Sequence, residues 1–140
     1  MFVVLDTNVL VSALCSTAGA SFALIQALPT PKFTPVLSPT LWAEYQDLVH
    51  RAAVIPATVS QATRDTICDL VLANARLQRV HYRWRTQLPD PGDAHVLEVA
   101  VAGQVEYIIT HNIKDLRPAS SFGITAITPG DFIKLIGGLP

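Results

Sequence analysis

Four β-prone residues, Phe2-Val-Val-Leu5, run straight into a carboxylate, Asp6, and no other part of the chain restricts its folding as strongly. The run is too short for a buried helix and too continuously apolar for a strand with one wet face. It therefore predicts a central strand covered on both sides. Asp6 then stands at the carboxyl end of that strand, the edge at which open α/β sheets bind their ligands. A plainer reading is that Asp6, Thr7 or Asn8 only caps the following helix, because each side chain accepts hydrogen bonds from free helix N–H groups. The positions of the other acids separate the two readings.

The helix predicted after Asp6 covers 8–15, breaks near 16–19 and resumes over 20–28. Turn chemistry around Pro29 and Pro31 leads to a short strand ending at Leu37, which Pro35 places nearer a sheet edge than its middle. Ser38-Pro39 opens a helix as N-cap and first helical residue, with Leu41, Tyr45, Leu48 and Val49 on one face and Glu44 beside them. A long helix is predicted over 58–77 and a strand over 79–85. The loop Leu88-Pro-Asp90-Pro-Gly-Asp93 leads into a helix over 94–102, with Asp93 as its N-cap and Gly103 as its left-handed C′ residue. Strands over 105–110 and 122–127 follow, and Thr128-Pro129 opens a terminal helix over 130–136. Strands alternate with helices, which predicts one α/β domain spanning 1–140, a three-layer α/β/α fold on a mainly parallel sheet of about five short strands.

Half of the residues are hydrophobic and 15% are charged, with a mean hydropathy of +0.37, so an apolar patch covered by a partner is expected. No apolar run approaches the roughly 18 residues of a membrane span, and no signal-peptide pattern opens the chain. A cytoplasmic protein with no membrane partner is expected. Cys15 and Cys68 fall in no zinc spacing, and both are expected to be buried, reduced thiols on apolar helix faces. The net charge of −1 supplies no general field for nucleic acid, so a polyanion would need a local patch or metal ions.

Asp6 ends the first strand, Asp93 starts the helix before the fourth, Asp115 lies in the loop after the fourth, and Glu44 sits on a helix that packs on the sheet. If strands one and four are neighbours, Asp6, Asp93 and Asp115 converge, with Asp90 close by. Two carboxylates about 5 Å apart repel by about 3 kcal/mol at an effective dielectric near 20, so convergence requires protons or a cation. An all-oxygen donor set without cysteine or a histidine pair suits Mg²⁺ or Mn²⁺ rather than zinc. Metal ions held by acids at such an edge serve phosphodiester cleavage.

Leu5-Asp6-Thr7-Asn8-Val9-Leu10, Glu44 after Ser38-Pro39, Asp90-Pro-Gly-Asp93-Ala94 and Thr110-His-Asn112-Ile-Lys-Asp115-Leu together resemble the four motif blocks of PIN-domain ribonucleases. The nearest branch is that of toxin components of type II toxin–antitoxin systems, related to the VapC toxins. The resemblance runs from Phe2 to Thr128-Pro-Gly-Asp-Phe132. It implies a PIN-like fold and a metal-dependent endoribonuclease, with Asp6, Glu44, Asp93 and Asp115 as the acidic quartet that holds Mg²⁺ or Mn²⁺. On this resemblance Asp6 contacts metal most directly with Asp93 beside it, Asp115 acts through water or from outside the coordination sphere, and Glu44 holds a metal-bound water or a second ion. Thr7 and Asn8 orient Asp6, and Asn112 fixes the loop that carries Asp115. A metal-activated water attacks phosphorus with no covalent intermediate, leaving a 5′-phosphate and a 3′-hydroxyl. The resemblance also implies RNA as substrate, a homodimer, and a cognate antitoxin whose helix covers an apolar groove near the acids. Two departures stand out: Pro91-Gly92 replaces a more acidic run, which leaves open whether Asp90 or Asp93 faces the metal, and Asn112 stands where some PIN domains place an acid.

Arg76, Arg79, Arg83 and Arg85, interleaved with His81, Tyr82 and Trp84, read either as a grip on single-stranded RNA or as a charge-protected edge strand. Lys114 and Arg117 lie nearer the acids and are the better phosphate contacts. His111 is weighed as a proton donor to the leaving group against a solvated loop residue, while His50, His81 and His95 suggest no role. Trp42 and the 22–28 face read as core or dimer surface. A haloacid-dehalogenase-type phosphatase would need an acid two residues after Asp6, where Asn8 stands. The remaining rival is a PIN-like fold that binds RNA or protein without catalysis.

Overall fold

The computed structural model describes residues 1–30, 32–51, 53–80 and 94–138. Five parallel strands, β1 (Phe2–Leu5), β2 (Thr34–Leu37), β3 (Arg76–Leu77), β4 (Tyr107–Ile109) and β5 (Thr125–Ile127), form one sheet in the order β3-β2-β1-β4-β5. Between them run α1 (Thr7–Cys15), α2 (Ala20–Gln26), α3 (Pro39–Val49), α4 (Gln61–Asn74) and α5 (Ala94–Ala102), and α6 (Pro129–Leu135) closes the chain. Right-handed crossovers place α1 to α4 on one face and α5, which lies against β1, β2 and β4, on the other. This is the α/β architecture expected from the alternation of elements.

Val3, Val4 and Leu5 are fully buried, as a strand covered on both faces requires. Leu5 is in register with Ile109, so β1 and β4 are neighbours and the chain reverses its direction of travel between them. The crevice at that switch point therefore opens at the end of β1, where Asp6 stands.

Several boundaries differ from expectation for identifiable reasons. Pro35 lies in an interior strand, paired on both sides. The Thr34 N–H points to β1, donating to the Met1 carbonyl, so the missing Pro35 N–H falls on the opposite side, where β3 pairs only with Val36 and Leu37. α4 is shorter than 58–77, and a two-residue strand, Arg76–Leu77, follows it; of the strand expected over 79–85, residues 79 and 80 are not in a strand and 81–85 lie outside the described residues. The Arg76 guanidinium lies 4.0 Å from the centre of the Phe2 ring. Cys68 is buried as expected, but Cys15 is exposed at the end of α1.

The left-handed residue after α5 is Gln104 (φ 52°), not Gly103. Gly103 serves close packing instead: a Cβ there would sit 3.0 Å from Val36 Cγ1 and 3.0 Å from the Val99 carbonyl oxygen. Gly103→Ala is expected to cost about 1–3 kcal/mol through overpacking, read as a lowered midpoint in thermal unfolding. An unchanged midpoint would mean that α5 moves off β2 freely.

Among the described residues no single helix is long and apolar enough to cross a membrane.

Candidate functional site

Asp6 does more than cap a helix. It is the N-cap of α1, accepting the Thr7 N–H at Oδ1 (2.7 Å), and it is a buried acid, 3% exposed. Its other oxygen, Oδ2, accepts the Thr110 hydroxyl at 2.7 Å and Asn8 Nδ2 at 3.2 Å. Thr7 and Asn8 thus both hydrogen-bond the Asp6 carboxylate. Thr110, to which sequence alone assigns no role, is the strongest side-chain partner, reached from 104 positions along the chain because β4 pairs with β1. Burial pushes the Asp6 carboxyl above its ordinary value, and the hydrogen bonds from Thr110 and Thr7 together with the nearby His111 oppose that rise.

The loop leaving β4 is tied to the same carboxylate. The Asn112 N–H donates to Thr110 Oγ1 (2.9 Å) and the His111 N–H to Asn8 Oδ1 (3.3 Å). Asn112 therefore helps to fix this loop through its backbone. Asp115 lies further along, in the turn before the 3-10 helix Arg117–Phe122, and is half-buried. Lys114 beside it is exposed.

Glu44 is carried by α3, which starts as expected at Ser38-Pro39, with the Leu41 N–H donating to Ser38 Oγ (3.1 Å). Tyr45, the next residue, is buried, and its hydroxyl donates to the Leu5 carbonyl, fixing α3 to the last residue of β1. Burial and the charges of Asp6 and Glu44 push the Tyr45 phenol well above its ordinary value, so it remains a neutral donor beside both acids. His95 on α5 is a correction to the expectation of no role: its Nε2 lies 3.5 Å from Glu44 Oε1, and its Nδ1 lies 3.9 Å from Oε2 of the buried Glu98. No periodicity in the sequence pairs α3 with α5.

Asp90 and Asp93 lie outside the described residues, as do His81, Tyr82, Trp84, Arg83 and Arg85. Among the described residues no group of three or more His, Cys, Asp or Glu side chains is arranged to hold a metal ion. The carboxylates of Asp6 and Glu44 are oxygen donors, with hydroxyl, amide and imidazole groups and no thiol hydrogen-bonded or ion-paired to them among the described contacts, a chemistry that fits a hard divalent cation. At the same end of the sheet, beside the residues that follow β2 and β3, is an open cavity of about 450 Å³ lined by Trp42, Leu72, Leu77 and Arg79 among others.

Comparison with solved structures finds the fold in the VapBC2 complex of Rickettsia felis bound to a DNA fragment from its promoter, with a TM-score of 0.59 and 16% identity over 90% of this chain and 98% of that one. Comparison with curated proteins finds no match. The family model of the PIN domain matches residues 2–114, a span that contains β1 with Asp6, all of α3 and the loop after β4 as far as Lys114, one residue short of Asp115. The chain belongs to the PIN domain family.

Proposed function

We propose that this chain is a Mg²⁺- or Mn²⁺-dependent endoribonuclease of the VapC toxin type, with Asp6, Glu44, Asp93 and Asp115 as its acidic quartet. The observation that carries the reading is the state of Asp6, a buried carboxylate held from both oxygens by Thr7, Asn8 and Thr110 at the switch point of a parallel sheet. Structural capping needs one such oxygen at a helix end; it does not need a second one locked by the neighbouring strand. Burying the charge costs stability unless a cation answers it. When bound, the divalent ion supplies that charge and acidifies the attacking water.

The chain's own residues orient and exclude. Thr7, Asn8 and Thr110 fix the rotation of the Asp6 carboxylate. Asn112, through its backbone, holds the loop carrying Lys114 and Asp115. His95 braces Glu44. Asp90 is the alternative to Asp93 as ligand, and Lys114 contacts substrate phosphate. A homodimer and an antitoxin helix seated in an apolar groove complete the reading, in a cytoplasmic setting; the apolar residues beside Arg79 supply a groove of that kind. The rival, a PIN-like module that binds without cutting, predicts no dependence on divalent ions.

Cleavage of single-stranded RNA by purified protein with and without Mn²⁺, comparing wild type with Asp6→Asn, tests the proposal. Cleavage that is equal in both proteins overturns it. Thr110→Val provides a graded version. Valine keeps the β-branched shape but removes the hydroxyl, so Mn²⁺ affinity is expected to fall by about 10- to 100-fold with the fold intact, as read by calorimetry.

A further inference from the structure

His111 is exposed, yet its ring is held. Nε2 lies 2.9 Å from Oγ of Ser21, a residue of α2 that is 2% exposed and 90 positions away in the chain, while the His111 backbone is tethered to Asn8. A solvated loop histidine needs neither contact. Ser21 donating its hydroxyl to Nε2 selects the tautomer with the proton on Nδ1, and a protonated ring also carries Nδ1–H. On that assignment Nδ1 carries a proton, and among the described residues no hydrogen bond takes it up. The ring stands beside the end of β1, close enough for its charge to act on Asp6.

Asp6 stands at that edge, Asp115 lies on the loop that leaves it, and the chain as a whole is slightly acidic, so an incoming phosphodiester meets repulsion that local donors must offset. We propose that His111 donates Nδ1–H to a non-bridging oxygen of the scissile RNA phosphate, and that Ser21 is the positioning residue that sets the ring for this contact. The inference rests on the ribonuclease reading of the Asp6 site. The contact lies on the charged oxygens, whose hydrogen bonds are the stronger kind, so it acts on both binding and turnover.

The test uses a fluorescein-labelled single-stranded RNA of mixed sequence and Mn²⁺. His111→Ala and His111→Gln are expected to lower kcat/KM by about 10- to 100-fold at saturating Mn²⁺, in proteins that remain folded at the assay temperature. His111→Asn, whose amide nitrogen mimics Nδ1, is expected to retain more activity than His111→Gln, whose amide mimics Nε2. Ser21→Ala is expected to lower kcat/KM several-fold in the wild-type background and to have no further effect in His111→Ala, the non-additivity that marks action through the histidine. RNA affinity measured by anisotropy in the Asp6→Asn background should fall when His111→Ala is added. If wild-type protein cleaves no RNA, the ribonuclease reading fails, and the anisotropy measurement still decides whether His111 grips phosphate. Equal affinity and equal cleavage with and without the imidazole overturn the contact. A Ser21→Ala effect that persists in the His111→Ala background overturns the positioning role.

Discussion

Asp6→Asn is expected to remove RNA cleavage, by about 10³-fold or more, while making the metal-free protein harder to unfold at neutral pH. The two effects have one cause. Burial raises the Asp6 carboxyl in the folded protein above its unfolded value, so folding favours the protonated form. That contribution is fully present below the unfolded value of 3.8 and is lost as pH rises through the higher folded value. At pH 7 the wild-type protein carries the cost of a buried charge and the amide variant does not. A higher Tm than wild type is expected in the presence of a chelator, the difference shrinking as pH falls toward 3.8. Mn²⁺ at 100 times its Kd should then raise wild-type stability by about 2.7 kcal/mol and leave the variant where it was, reversing the order of melting. Asp6→Asn removes a carboxylate that would hold the divalent cation, whose positive charge would offset the anionic transition state, and 10³-fold corresponds to about 4 kcal/mol. A variant that melts below wild type without metal would contradict the burial argument, even if its cleavage were lost.

What the sequence made legible followed local rules. The strand that ends in Asp6, the Ser38-Pro39 and Thr128-Pro129 helix starts, and the limits of α5 each depend on neighbours within a few residues. β3 was not legible because two residues carry no period, and its pairing with β2 is set by where α4 ends. Gly103 was legible as special but for the wrong reason, since crowding against Val36 leaves no mark in the local sequence.

The candidate site divides the same way. Asp6, Thr7 and Asn8 are contiguous, and their mutual hydrogen bonds follow from capping geometry. Thr110 with Asp6, His111 with Ser21 and Glu44 with His95 join elements separated by 51 to 104 positions, and each pairing becomes predictable only once strand order is known. A doubly wound sheet with its switch point between β1 and β4 could be inferred; which hydroxyl or imidazole stands across the crevice could not, because that depends on the twist of the sheet and the tilt of α2 and α5.

The largest loss of stability is expected from Phe132→Ala. Phe132 is fully buried on α6, beyond the segment matched by the family model, and its ring meets Phe33 edge-on at 5.3 Å and Tyr107 at 5.9 Å. Phe33 precedes β2 and Tyr107 opens β4, so one side chain ties the last helix to two strands at the end of the sheet opposite Asp6. Truncation removes the apolar burial and leaves a cavity flanked by two rings that cannot collapse without shifting their strands. About 4 kcal/mol, or about 15 °C in Tm, is the expected cost, whereas Phe132→Leu, which keeps most of the volume, should cost less than half as much. Because the cluster is remote from Asp6, RNA cleavage by Phe132→Leu at low temperature should match wild type. A drop in cleavage without a drop in melting temperature would show instead that α6 communicates with the acidic edge through α2, against which it packs.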